Sequence, residues 1–403
     1  MKDRLSFKDI FSVAILGTIV LTCTNGMTFS GITAFDKAIL DDFGWTKSEL
    51  KFRAFINLFI AGAIMPFVGV FIDKYGAKRT IMAGLLMISV LYFSYGFIQD
   101  KWHLYAIHLG FAFAVAGAGG LAVIIMVSQR IKERRGTAIG IALAGTSAGG
   151  IIITQIATRL LEQYGWRASF KIEAVIPLVI MVIIFFFIKP VDKAAENDAS
   201  KEENSGDSSF KAALMSPVFW ALCFAGVFCF YGIMGIISNL FLYLTELGYS
   251  TADAGNVFSI FFFIILVAKF SSGLVSEYIN EYKLFKIQLI IMTIGTVGMA
   301  MNTIELVWPS LIAVGLGWGG LYTLFNYIII QTFGIKAAGK IGGVISTFES
   351  IGAGLGAWLT GLISDKTGSY SASFWLVVAL LLMSLVISFF IKPVKAEQVE
   401  VSY

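Results

Sequence analysis

The sequence predicts an all-α membrane protein with twelve transmembrane helices in two six-helix, pseudo-symmetric bundles. Three observations lead there: an apolar content too large for one globular core, a dozen apolar runs of spanning length, and a repeat that restarts past the middle of the chain. Apolar residues make up 57% of the 403 and charged residues 14%, and the mean hydropathy is +0.82. A soluble domain carries about 25% charged and about 45–50% apolar residues. Such an excess must face lipid. The 36 Phe and 8 Trp suit lipid-facing walls and interfacial belts. Cys23, Cys223 and Cys229 lie in apolar stretches without metal-ligand spacing and read as small buried hydrophobes. The net charge of +4 is modest and sits mainly on one side of the membrane, so it marks topology and not nucleic-acid binding. The first apolar run, from Ile10, shows no small-residue cleavage site and is expected to continue as a full span.

A span needs about 20 mostly apolar residues. Such runs lie near 10–34, 50–72, 79–98, 102–128, 136–160, 169–189, 216–245, 254–277, 283–303, 308–333, 340–363 and 372–392. The polar stretch 190–212 is expected to be a solvated linker between an N-terminal bundle, 1–189, and a C-terminal bundle, 213–403. The halves repeat one another. FFIKPV occurs at 186–191 and again at 389–394, and GWTKSE from Gly44 is echoed by GYSTAD from Gly248. Gly69-x-x-x-Asp73 returns as Gly273-x-x-x-Glu277, and Glu162-x-x-Gly165 as Asp365-x-x-Gly368. Several echoes at one offset predict parallel repeats about an axis along the membrane normal. Of the 30 Lys and Arg, 20 fall in the N-terminus, the loops after even-numbered spans, the linker and the C-terminal tail. Both termini are therefore expected on the cytoplasmic side of a cell (plasma or inner) membrane.

Between spans 2 and 3 lies Gly69-Val-Phe-Ile-Asp73-Lys-Tyr-Gly76-Ala-Lys78-Arg79. Gly69 would allow close helix contact and Gly76 would make the reversal. Asp73 could pair with basic groups and release them as the cytoplasmic side opens. The bland reading is a turn whose charges anchor helix ends. The segment resembles the cytoplasmic-loop signature of the major facilitator superfamily, and with it come the expected fold and rocking-type alternating access.

A narrower likeness rests on Arg134-Arg135-Gly-Thr-Ala-Ile-Gly140, continuing through Gly145 to Gly149, and on Tyr164-Gly-Trp-Arg167. These resemble the double-arginine segment and Tyr-Gly-Trp-Arg element of the monocarboxylate transporters. The segment from Gly319 to Gly352 is similar to the oxalate/formate antiporter group. Small residues at 140, 144, 145, 149 and 150 would give span 5 a smooth face for close packing. The proline expected in an antiporter-type span-5 motif is absent, which weighs against obligate exchange.

Two charges fall inside apolar spans: Lys269 in span 8 and Glu349 in span 11. An ionisable group at bilayer depth is costly and marks a pathway by default. Lys269 stands where the resemblance places the substrate-binding arginine of monocarboxylate transporters, and an ammonium can hold a carboxylate as a point charge. Glu349 stands where the oxalate group has a second lysine, which disfavours a dicarboxylate, and where the resemblance gives monocarboxylate transporters a glutamate. A partly buried glutamate holds its proton more readily, which makes it a candidate proton carrier. Alternatively, the two neutralise each other as a structural pair, or Lys269 snorkels to the cytoplasmic side. Ile265 and Thr33 replace an acidic residue and a lysine that the resemblance would imply.

Trp318 and Tyr322, spaced i, i+4 near Asn326, resemble the aromatic wall of the oxalate group. Asn25, Thr28, Tyr231 and Asn239 are hydrogen-bonding candidates, each alone more often a packing contact between helices. His108 could titrate or simply pack. Glu277, Lys78, Arg79, Arg134 and Arg135 are expected to serve conformational change. No nucleotide loop, metal constellation or nucleophile–base spacing is present in the sequence, so neither an enzyme nor a cofactor is expected. The expectation is a monomeric secondary carrier of a small carboxylate such as lactate or pyruvate, with the proton as its coupling ion. The alternatives are an organic-anion antiporter of the oxalate/formate type and, from another class, a non-transporting nutrient receptor.

Overall fold

The structure is a computed structural model that describes residues 7–131, 134–188, 213–333 and 335–391. The expected linker, 190–212, lies outside the described residues. The described chain is nearly all helix: α1 Phe7–Asn25, a π-helical turn Gly26–Ser30 and a 3-10 stretch Gly31–Phe35, then α2 Asp36–Phe43. There follow α3 Lys47–Tyr75, α4 Ala77–Tyr95, α5 Lys101–Ala118, α6 Gly120–Arg130, α7 Arg135–Glu173 and α8 Val175–Phe187. The chain continues with α9 Pro217–Glu246, α10 Thr251–Val275, α11 Glu281–Ala300, α12 Val307–Phe333, α13 Ile335–Thr367 and α14 Tyr370–Ser388. A helix stands at each of the twelve expected spans. Among the described residues nine stretches are long and apolar enough to cross a membrane, and one of them, Arg135–Phe187, covers two expected spans.

The sequence echoes are echoes of local geometry. Gly44 and Gly248 both take left-handed backbone, φ 65° and 93°. Each is followed by a hydroxyl cap. Thr46 Oγ1 accepts from the Glu49 N–H at 3.2 Å while Glu49 Oε2 accepts from the Thr46 N–H at 3.0 Å, a capping box that starts α3. In the second copy Ser250 Oγ accepts from the Asp253 N–H at 3.1 Å and donates to Asp253 Oδ2 at 2.6 Å, starting α10. Gly165 and Gly368 correspond in the same way, with φ 71° and 76°. At Gly165 ψ is 165°, a region open in practice to glycine alone, and there α7 turns from one expected span into the next.

The described residues fall into two compact units. The first comprises 7–131, 134–188 and 238–263, and the second 213–237, 264–333 and 335–391. In the first, α7 lies tight on α1: a Cβ at Gly149 would stand 2.6 Å from the Gly26 nitrogen, and one at Gly145 would run into the Thr18 carbonyl. Such contact needs small residues and gives backbone–backbone packing where no hydrophobic force acts between helices. Beside Gly140 on the same helix nothing among the described residues lies within 4 Å of an added Cβ. An aromatic core of Tyr92, Tyr95, Phe111 and Phe170 fills the space between α4, α5 and α7, with Tyr95 and Phe170 stacked at 4.1 Å. In the second unit Gly352 and Gly356 of α13 sit under the Val227 and Tyr231 carbonyls of α9, and Gly317 of α12 meets Met292 of α11. Phe185, Phe186 and Phe187 are exposed, as are Phe389 and Phe390, the arrangement expected of side chains meant for lipid.

Candidate functional site

In the second unit the structure brings Lys269 together with Tyr322 and Trp318, three of the residues that sequence marked. Gly319 makes this possible: a Cβ there would stand 2.5 Å from Ala268 Cβ and 2.6 Å from the Ile265 carbonyl oxygen, so α12 lies against α10 at the turn carrying Lys269. Thr323 fastens the same crossing by donating to the Lys269 carbonyl at 3.3 Å. One turn along α12 from Trp318, the Tyr322 ring then faces Lys269, whose Nζ lies 4.6 Å from the ring centroid. The Trp318 and Tyr322 rings are 5.8 Å apart, and Trp318 meets Phe230 of α9 edge-on at 5.0 Å. Glu349 lies half-buried on α13, its Cγ 3.2 Å from where a Gly226 Cβ would be. Its carboxyl is an electrostatic neighbour of the Tyr322 hydroxyl. A cation held on an aromatic face with a carboxyl near the same tyrosine can take a carboxylate guest by ion pairing while the ring covers its apolar part.

The other expected residues have other surroundings. Asn326 is exposed, and its amide donates to the Tyr322 carbonyl at 3.0 Å. Tyr231 is buried on α9 beside Thr360, its hydroxyl without a well-shaped hydrogen bond among the described residues. In the first unit Asn25 donates to the Leu21 carbonyl at 3.3 Å and Thr28 to the Thr24 carbonyl at 2.6 Å, both within the helix and its π-turn.

At the loop signature, Gly76 turns the chain with φ 82°, and Lys78 donates to the Phe185 carbonyl at 2.8 Å. Arg79, Arg134, Arg135 and Glu277 are exposed, and Arg134 has left-handed φ, 54°. Sequence leads one to expect close helix contact at Gly69; among the described residues nothing lies within 4 Å of a Cβ placed there. The Asp73 side chain lies outside the described set. The Tyr-Gly-Trp-Arg element is a structural joint. Arg167 lies 4.1 Å over the Trp166 ring and pairs with Asp42 at the end of α2.

Sequence reading missed a buried ionic cluster in the first unit. Asp36, at the start of α2, pairs with both Lys51 and Arg53 of α3, and all three are at most 2% exposed. Lys51 also donates to the Ser238 carbonyl, and Arg53 to the Tyr95 hydroxyl at 2.6 Å. Tyr95 in turn meets His108 Nε2 at 3.2 Å. The available signal is the position of Lys51 and Arg53 two residues apart with Asn57 a further turn on, at the head of the long apolar run of α3. Glu173 was missed as well. It is fully buried on α7, and neither carboxyl oxygen has a hydrogen bond among the described residues.

Comparison with known proteins places this architecture. The family model of the Major Facilitator Superfamily matches residues 18–357 and 245–402. An oxalate:formate antiporter of Oxalobacter formigenes is 24% identical over 395 residues, covering 94% of this chain and 92% of its own. Monocarboxylate transporter 11 of Homo sapiens is 22% identical, with 89% and 78% covered. The crystal structure of a bacterial homologue of the human lysosomal transporter Spinster superposes with a TM-score of 0.80 at 17% identity, covering 96% of this chain and 97% of that one. The first two likenesses agree with the narrower sequence resemblance and the third with the helical architecture. The chain is thus a multi-pass membrane protein and no enzyme, and it belongs to the Major Facilitator Superfamily of transporters.

Proposed function

We propose that this chain is a secondary active carrier of a small organic anion, a monocarboxylate of the size of lactate or pyruvate, working by alternating access with a proton as coupling ion. The observation that carries the reading is Lys269 held over the Tyr322 ring at the tight crossing of α10 and α12. An ammonium at bilayer depth is retained where it serves a pathway, and here it lies beside an aromatic wall that would cover the apolar end of a short carboxylate. Glu349, near the same tyrosine, is the candidate proton carrier. One proton moving with one carboxylate keeps the transported charge at zero, so uptake would follow the pH gradient. In this reading 1–189 and 213–403 act as the two bundles, joined by a linker at 190–212.

The test is uptake of labelled L-lactate into proteoliposomes, with and without an inward proton gradient. Wild type is expected to accumulate lactate, Lys269→Met to lose accumulation, and Lys269→Arg to retain it with altered affinity. Equal uptake by wild type and Lys269→Met would sink the assignment of Lys269. A second reading is organic-anion exchange, favoured by the near full-length likeness to an oxalate:formate antiporter. It predicts uptake only into vesicles preloaded with an anion, whatever the proton gradient.

A further inference from the structure

The cluster around Asp36 is charge-unbalanced. Among the described residues Lys51 and Arg53 share one carboxylate, Asp36, and no other acid pairs with either. Two buried cations against one anion leave an excess positive charge away from water, which costs several kcal/mol per ion unless compensated. Beside it lies a pocket of about 20 Å³ lined by Lys51, Arg53, Asn57, His108, Thr33 and Ser238. That volume holds one particle of water size. Two of the side chains lining the pocket carry a buried polar atom with no hydrogen bond among the described residues: Asn57 Oδ1 and His108 Nδ1, in residues 1% and 2% exposed. The Asn57 amide can present its NH₂ to the pocket by a half-turn, since the two ends of an amide are interchangeable in shape. Lys51 gives one N–H to Asp36 and one to the Ser238 carbonyl. That leaves the third N–H of its ammonium for an occupant. Water would satisfy hydrogen bonds and leave the charge unbalanced; a single small anion does both.

We propose that the first unit contains a binding site for one monovalent anion of halide size, held by Lys51, Arg53, Asn57 and His108. The same chemistry has two sources, a free chloride ion or one carboxylate oxygen of a transported anion. The site belongs to the first unit and stands independently of the Lys269 assignment in the second.

The test uses the full-length protein purified in detergent, without substrate, at constant ionic strength. Thermal unfolding is followed while chloride or bromide replaces gluconate, an anion too large for the pocket. Both halides are expected to raise the midpoint saturably. Asn57→Leu and His108→Phe are each expected to weaken the half-saturating halide concentration by about tenfold or more, the loss of roughly one good polar contact. Lys269→Met is expected to respond like wild type, so failure here and failure of the transport assay are separate results. A halide response absent from wild type, or identical in wild type and both variants, overturns the site. Should the variants not fold, anomalous scattering from bromide-soaked wild-type crystals decides. A peak within contact of Lys51 Nζ supports the site, and its absence at saturating bromide overturns it. Adding L-lactate then distinguishes the sources. Loss of the bromide signal means that a carboxylate enters the same pocket, and additive stabilisation means that the halide has a place of its own.

Discussion

A lysine at the centre of a membrane helix costs about 2.5–3.5 kcal/mol on insertion scales. A desolvated cation–π contact returns up to about 2 kcal/mol, so the face of Tyr322 under Lys269 offsets much of that cost. Asp36 presents the opposite balance, because one carboxylate serves two buried cations. Removing its charge in Asp36→Asn strands both partners, and breaking a buried pair in this way costs about 3–5 kcal/mol. The expected outcome is a marked fall in the unfolding midpoint of the detergent-purified protein, whereas an unchanged midpoint would mean that the cluster carries no stabilising weight. Glu49 is a milder case outside the spans. A hydrogen bond from Lys101 Nζ at 2.7 Å, helped by the Thr46 N–H, holds its carboxyl below the ordinary carboxylate range. A group with a lowered folded value stabilises the protein above its ordinary value and loses that contribution as pH falls through the lowered one. Melts of wild type and Lys101→Met are therefore expected to differ at neutral pH and to converge in acid. The difference is small, because both side chains are more than a third exposed or close to it and solvent screens the pair.

Helices meet here through their glycines. At Gly319 even a methyl group would collide with Ala268 and the Ile265 carbonyl, so Gly319→Ala must push α12 from α10 and carry Tyr322 away from Lys269. Overpacking of this kind costs about 1–3 kcal/mol. The variant is expected to melt earlier and to show a raised KM for the transported anion. Gly342→Ala on α13, where nothing among the described residues lies within 4 Å of the added methyl, is expected to change neither. Equal behaviour of the two variants would show that the crossing has no bearing on the site. The elements themselves were open to reading from sequence: each expected span holds a helix, and the echoes at Gly44 and Gly248 mark the same helix stop and the same hydroxyl cap. The irregular backbone at Gly26–Ser30 and Gly31–Phe35 was not. Its residues are as apolar and small as those of an ordinary span, and what sets Gly26 and Gly31 against Ile153 of α7 is tertiary packing.

For the whole molecule, the asymmetry of basic residues predicts which loops face the cytoplasm, and site-directed labelling tests it. With Cys23, Cys223 and Cys229 all buried, an impermeant thiol reagent added to intact cells is expected to label Asp100→Cys and to leave Lys283→Cys unlabelled. The reverse pattern would invert the orientation. Composition, the length of apolar runs and the repeat were enough to determine an all-helical, multi-pass membrane protein with an internal duplication, because lipid permits few alternatives to a helix of set length. They also singled out Lys269 and Glu349, since a charge inside an apolar run is visible without coordinates. Only the tertiary structure decided what those charges touch. It set Tyr322 under Lys269 through a glycine 50 positions further along the chain, and it gathered Lys51 and Arg53 into a buried cluster around Asp36. The reason is physical. Hydropathy sums over a window and reports depth, but the partner of a charge depends on which helix faces which, and that is fixed by packing between residues far apart in sequence.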